Sequence, residues 1–333
     1  MATPIPELIG SPLPAISVIL PVLNEESHLE GAVLSVLSQD YRGPLEIILA
    51  LGPSRDRTNE IATKLASQDN RVKLLDSPTG KTAAGLNLAL AASKSPVIVR
   101  VDGHAQIPNN YISLIVEILN KTGAVNVGGV MAAVGTTAFE RAVAGAMRSP
   151  LGVGASRFHT GGEAGEVDTV YLGAFRREAL VAIGGFDERF TRAQDWELNF
   201  RLRENGGVIY FDPRLHVTYR PRSSVGALAK QYFEYGRWRR VVSRRHSGTI
   251  NYRYLAPPFA LLGFSASLVF GVLLSSIFFV PALVYLLFVV LASLKISTSI
   301  GEYLLLLLVI PTMHFAWGAG FISSPKTLVP ASQ

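Results

Sequence analysis

Two places in this 333-residue chain combine residue types and spacing that could do chemistry. Asp102 and His104 stand two positions apart just after the apolar run Val97-Ile98-Val99-Arg100-Val101. In an extended stretch both side chains then face one way. One carboxylate and one imidazole on a common face can hold a divalent ion when other ligands complete its shell; a helix cap beside a surface histidine is the alternative use. Asp195 opens an amphipathic helix in which Leu198, Phe200 and Leu202 point inward and Arg201, Arg203 and Glu204 outward. A helix N-terminus favours the ionised carboxylate, the form a general base needs, and the same group could simply cap the helix. Cysteine is absent, which excludes thiolate catalysis, disulfides and cysteine-based zinc sites.

The elements that must position these residues read as alternating strands and helices. Ile16–Val22, Leu45–Ala50, Val72–Leu75 and Val97–Val101 are short apolar runs. Helical patterns separate them: through Leu37, from Asp56 to Ala66, and from Thr82 to Ala92. This alternation predicts an α/β fold with a parallel sheet and right-handed crossovers. Ligands of such sheets sit at the carboxyl ends of the strands. The residues to interrogate are therefore Asn24-Glu25, Gly52 to Asp56, Asp76 to Lys81, and Asp102 to His104. Gly80-Lys81-Thr82 resembles the end of a phosphate-binding P-loop, but position 75 is Leu where that motif needs Gly. No G-x-G-x-x-G follows the first strand, which argues against a nicotinamide or flavin site.

Six segments in order carry a family resemblance: Val18 to Glu26, Ser54-Arg55-Asp56-Arg57-Thr58, Gly80-Lys81 with Asn87, Val101-Asp102-Gly103-His104, Gly184-Gly185-Phe186-Asp187-Glu188, and Gln194-Asp195-Trp196-Glu197. Together they resemble the family 2 glycosyltransferases of GT-A fold, closest to the succinoglycan-type bacterial exopolysaccharide glycosyltransferases. The resemblance covers about residues 16–240. It implies a nucleotide-sugar donor, an inverting transfer, and a divalent ion, Mn2+ or Mg2+, held by Asp102 and His104. The family has Asp-x-Asp here, and the imidazole at His104 softens the site toward manganese. Asn24, Glu25 and Asp56 are carried over as nucleotide-side residues, with helix capping as their other use. The family's acidic residues just upstream of Asp56 are replaced by Leu51-Gly52-Pro53.

Lys81 follows the third strand and could reach the donor diphosphate as a point charge, or stand exposed at a helix start. Asp195 keeps the family's presumed base, with Gln194 in place of Glu. Trp196 could stack on a sugar face or pack in the core. Gln231 through Trp238 is similar to the Gln-x-x-Arg-Trp signature of processive synthases with the wrong spacing, since five residues separate Gln231 from Arg237. Arg237 and Trp238 are read as an interfacial segment that also contacts the donor. A processive polysaccharide synthase and a non-catalytic, membrane-tethered nucleotide-sugar-binding protein are the competing readings.

Charge and hydropathy divide the chain. It is 49% hydrophobic and 17% charged, against roughly 25% charged in globular domains. Residues 1–234 carry 23 Lys+Arg and 24 Asp+Glu, a balance that speaks against a nucleic-acid partner. The basic excess lies beyond them, beginning with Arg237, Arg239, Arg240, Arg244, Arg245 and Arg253. From Leu255 to Leu294 no residue is charged. That run holds two spans of ~20 residues, with a turn near Ser275-Ser276 or at Pro281. A third apolar run covers Tyr303 to Ile322.

The expected organisation is an N-terminal tail at 1–15, a GT-A domain at 16–240 with a mostly parallel central sheet, a basic juxtamembrane segment at 241–254, three spans within 255–323, and a tail at 324–333. A basic cluster beside a span marks the cytoplasmic side and attracts anionic lipid. The expectation is a multi-pass protein of the cell membrane with its catalytic domain cytoplasmic and a membrane-bound, polyprenyl-linked glycan acceptor. Met1 to Ala15 lacks the pattern of a signal peptide.

Overall fold

The computed structural model describes residues 13–329; most of the expected tail at 1–15, and residues 330–333 of the other, lie outside them. The four strands read from the sequence are β1 (Ile16–Val22), β2 (Leu45–Leu51), β3 (Val72–Asp76) and β4 (Val97–Arg100). They run parallel in the order β3-β2-β1-β4. Helices α1 (Leu29–Leu37), α2 (Thr58–Gln68) and α3 (Thr82–Ala92) connect them, and α4 (Tyr111–Thr122) follows β4. Register pairs Val22 with Leu51, Leu51 with Asp76 and Ile19 with Arg100. The carboxyl ends of all four strands therefore open at one edge of the sheet.

Alternation along each strand divides the core. Val18 and Leu20 face α1 and α4 in one apolar cluster, while Ile19, Ile48 and Ile98 face the α3 side in another. The sheet then continues with strands not expected from the sequence: β5 (Asn126–Ala133), β6 (Gly165–Glu166), β7 (Tyr171–Arg176) and β8 (Ile209–Tyr219). β7 joins β4 antiparallel and extends the order to β4-β7-β5-β8-β6. The chain is thus an α/β protein whose central sheet is parallel through the half that presents the strand ends.

Helices α5 (Ala138–Met147), α6 (Pro150–Val153) and α7 (Arg157–Thr160) precede β6. Helices α8 (Arg177–Ala182) and α9 (Gln194–Glu204) lie between β7 and β8. Four long helices close the chain: α10 (Val225–Arg245), α11 (Tyr252–Leu273), α12 (Val280–Ile296) and α13 (Ile300–Ser323). A 3-10 turn at Ser276–Phe279 joins α11 to α12, and Pro281 sits harmlessly in the first turn of α12. Two compact units result. Among the described residues, one holds those up to Ala132 with Gly161–Tyr219; the other holds Ala133–Thr160 and those from Arg220 onward. Three helical stretches, Tyr252–Leu273, Ser276–Ile296 and Ile300–Ser323, are long and apolar enough to cross a membrane.

Candidate active site

The loops after β1, β2, β3 and β4 surround a polar cleft of about 240 Å³, lined among others by Glu25, Gly52, Lys81, Asp102, His104 and Gln194. The β1 loop is fixed first. Asn24 adopts φ 56°, a left-handed conformation that Asn tolerates better than most residues. Its amide oxygen accepts from Arg55 N–H at 2.8 Å, and its own N–H donates to Ser54 Oγ at 3.0 Å. Asp56 completes the clasp, accepting from Thr58 N–H (3.1 Å), Thr58 Oγ1 (2.5 Å) and Glu26 N–H (3.2 Å). These bonds, led by the Thr58 hydroxyl, hold the Asp56 carboxyl below its usual range. Asn24 and Asp56 thus lock two strand-end loops together at the cleft rim.

Glu25 lies over the β4 loop. Its Oε1 meets His104 Nδ1 at 2.8 Å. A Cβ at position 103 would come within 3.0 Å of Glu25 Cγ, so Gly103 is what lets the side chain settle there. Lys81 immediately precedes α3 and stands exposed; among the described residues no carboxylate pairs with its ammonium.

Arg100, which the sequence reading passed over, organises the centre. It ends β4 with its side chain only 6% exposed. Its Nε donates to Asp102 Oδ1 at 3.0 Å, and its Nη1 donates to Asp195 Oδ1 in the first turn of α9. Burial by itself would lower the guanidinium pKa, but the Asp102 and Asp195 carboxylates hold it above the ordinary arginine value. Burial pushes the Asp195 carboxyl up, the Asp102 charge adds to the rise, and Arg100 opposes it. A charged residue at the end of an otherwise apolar strand was the sequence signal for this cation.

The α9 side chains correct parts of the sequence reading. Asp195 does not cap its helix: among the described residues its carboxylate meets Arg100 and no backbone N–H. Leu198 and Leu202 are buried as expected, but Phe200 is half-buried and stacks on Trp196 with centroids 5.8 Å apart. Glu197 and Asn199 take buried places instead, Glu197 with Arg201 (2.7 Å) and Asn199 with Asn126 (2.6 Å). The turn before α9 is held from α3, where Asn87 accepts from Phe186 N–H at 2.8 Å and donates to Phe186 O at 2.8 Å. Arg237 and Trp238 belong to the second unit. There Arg237 pairs with Glu234 at 2.9 Å, and Trp238 is 4% exposed.

The residues at the cleft offer a cation a limited set of ligands. Among the described residues no three His, Asp or Glu side chains gather closely enough to cage a metal. Asp102 and His104 both line the cleft, and a carboxylate with an imidazole is a donor set suited to a divalent ion whose remaining ligands come from a bound anion. The site fits an ion that arrives with its ligand.

Residues 17–184 match the family described as Glycosyl transferase family 2. The succinoglycan biosynthesis protein ExoA of Rhizobium meliloti is 34% identical over 72% of this chain and 73% of its own length. A Methanococcus voltae protein, dolichyl N-acetyl-alpha-D-glucosaminyl phosphate 3-beta-D-2,3-diacetamido-2,3-dideoxy-beta-D-glucuronosyltransferase, is 25% identical over 81% of this chain and 85% of its own. Among solved structures, the mannosyltransferase PcManGT from Pyrobaculum calidifontis, in complex with GDP-Man and Mn2+, superposes with a TM-score of 0.66 at 20% identity. That match covers 93% of this chain and 86% of the other.

Proposed function

The chain belongs to glycosyl transferase family 2 and is a glycosyltransferase, and we propose that it moves a hexose, with inversion, from a nucleotide-sugar, a UDP-sugar first among candidates, to a lipid-linked glycan in polysaccharide biosynthesis. The observation that carries this reading is Arg100, one buried cation at the end of β4 joining Asp102 to Asp195 in the first turn of α9. It ties the donor side of the cleft to the carboxylate assigned as base.

In this mechanism the nucleotide lies against the β1 and β2 loops that Asn24 and Asp56 clasp, with Glu25 beside them. Lys81 presents its ammonium toward the diphosphate as a mobile point charge. Asp102 and His104 are the residues that would hold a divalent ion, which offsets diphosphate charge when bound. Asp195 accepts the proton of the acceptor hydroxyl as that oxygen attacks the anomeric carbon from the side opposite the diphosphate. The bond from that carbon to the diphosphate oxygen breaks, and the nucleoside diphosphate leaves with the electron pair. Burial of Asp195 makes its carboxylate a better proton acceptor, while Arg100 keeps it ionised and aimed. Trp196 offers a ring face to a sugar.

The apolar helices support a location in the cell membrane, and the arginine cluster of α10 supports a cytoplasmic placement. ExoA, named for succinoglycan biosynthesis, and the Methanococcus voltae relative, named for dolichyl N-acetyl-alpha-D-glucosaminyl phosphate, support an acceptor of this class. The deciding experiment presents radiolabelled nucleotide-sugars to membranes containing the protein and extracts product into organic solvent. Label in the organic phase that depends on Asp195 is the expected result. Donor hydrolysis without any transfer to lipid would refute the acceptor assignment.

A further inference from the structure

Three crossings of a bilayer would place the start of α11 and the end of α13 on opposite faces. In the unit that contains them these two ends touch. The Tyr254 ring, in the first turn of α11, stacks on Trp317, near the end of α13, with centroids 6.4 Å apart. A Cβ on Gly318 would come within 2.6 Å of Pro257 O. A hydrocarbon layer of about 30 Å cannot separate residues in contact.

Both ends of α13 are also fixed to charged helices. At its start, Glu302 pairs with Arg141 of α5 at 3.3 Å. At its end, Arg244 of α10 donates to Ser324 O at 3.0 Å, and Ser324 Oγ donates to Arg237 O at 2.9 Å. The Arg240 guanidinium lies over the Phe321 ring at 5.0 Å. Close approach of α10 and α13 depends on two glycines: Gly236 faces the Trp317 carbonyl and Gly320 the Phe233 carbonyl, where any Cβ would collide. The start of α5 is itself joined to the residues before α10, because Arg220 pairs with Glu140 at 3.2 Å. Helix α12 ends on the same side, with Ile296 against Gly145 of α5.

The remaining apolar surface is distributed accordingly. In α11 and α12 only 11% and 22% of the most apolar window is buried, against 39% in α13. Val272, Leu273, Ile277 and Leu283, around the α11–α12 turn, are each at least 60% exposed. On α13 one side is buried, with Leu306, Val309, Ile310 and Met313, while Ile300, Leu304 and Leu308 stay exposed.

We propose that α11 and α12 alone enter the lipid, as a helical hairpin that leaves by the face it entered, and that α13 does not cross. Helix α13 lies along that face, its apolar side packed on α5 and α10, and the chain after it emerges where α10 ends. The partner of the exposed α11–α12 surface is lipid acyl chain. The uncharged stretch from Leu255 to Leu294 is the membrane element, and the third apolar run buttresses it.

The absence of cysteine makes a direct test available. Ser247→Cys and Lys326→Cys each place one thiol on an exposed position flanking the apolar helices. Each full-length variant is treated with a membrane-impermeant maleimide in sealed cells and in inverted vesicles. Both thiols should react from the same face. Reaction from opposite faces restores three spans and overturns the proposal, and so does a Lys326→Cys thiol reached from neither face. Thr327→Cys, also exposed, repeats the measurement if the Lys326 variant does not accumulate. The outcome is independent of the donor, the acceptor and the role of Asp195.

Discussion

Arg100 and Asp195 are 95 positions apart in sequence, yet the guanidinium at the end of β4 donates to the carboxylate in the first turn of α9. The same guanidinium holds Asp102. Two neighbouring carboxylates repel each other, and burial together with the Asp102 charge pushes the Asp195 carboxyl up. A buried arginine between them offsets that repulsion, donating to both carboxylates at once. Its planar fork also fixes their directions, which a lysine in its place could not do.

Replacing Arg100 should therefore damage catalysis and stability together. Arg100→Met should cost at most the ~3–5 kcal/mol of a broken buried pair, because Asp102 and Asp195 are 19% and 27% exposed and can recover water. Arg100→Lys should recover most of the melting temperature but little of the turnover. A guanidinium that aims the base predicts a fall in kcat with KM nearly unchanged. If Arg100→Lys restores kcat along with stability, the arginine is only a structural cation.

Asp195→Asn tests the proposed base directly. The amide oxygen can still accept from Arg100, so the fold and donor affinity should survive. Transfer should fall by ~10²–10⁴, the usual contribution of a positioned general base. Near-normal turnover would remove Asp195 from catalysis. Glu197 is then a poor substitute, since it is 2% exposed and already paired with Arg201.

How much of this was legible follows from what each signal depends on. β1 to β4 were readable because their apolar runs are local and each is followed by a helix, which also located the residues at the strand ends. β5 and β8 were hidden by their own composition. Gly128-Gly129 interrupts β5, and Pro213 stands in the middle of β8, so neither shows an uninterrupted strand pattern. Asp102, His104 and Asp195 could be picked out as candidates from residue type and local spacing. The Arg100 bridge was not, because no periodicity connects β4 to α9. Burial of Asn199 was invisible for a related reason, since its partner Asn126 comes from β5. Glu197 and Arg201 are an i,i+4 pair on one helix, a spacing that reads as a surface pair and says nothing of burial. The apolar runs predicted three membrane helices by length; the order in which their ends meet is a tertiary property.

Metal dependence should separate Asp102 from His104. Asp102→Ala should abolish any manganese-dependent gain in donor affinity measured by calorimetry, since an imidazole alone cannot anchor the ion. His104→Asp would set a carboxylate beside Glu25, which now meets the imidazole at 2.8 Å. That variant should become strictly dependent on added metal and shift its preference toward magnesium, a harder ion that favours oxygen ligands. Transfer that continues unchanged in chelator, in the wild-type protein, would strip both residues of this role.

The last prediction concerns pH and lies away from the cleft. Glu140 in α5 accepts from the Thr136 hydroxyl at 2.6 Å, from Thr136 N–H at 2.8 Å and from Thr137 N–H at 3.2 Å, and it pairs with Arg220. These donors, led by the Thr136 hydroxyl, lower its pKa from 4.5 to about 2. A carboxyl whose folded pKa is depressed stabilises the fold fully above its unfolded pKa and loses that contribution as pH falls through the folded value. Glu140→Gln removes the charge and keeps the shape. In melting curves of detergent-solubilised protein, wild type should exceed the variant at pH 6, and the gap should narrow steadily between pH 4.5 and 2. A gap that stays constant across that window would assign the difference to hydrogen-bond geometry, and the Glu140 charge would then contribute nothing to the joint between α5 and the residues before α10.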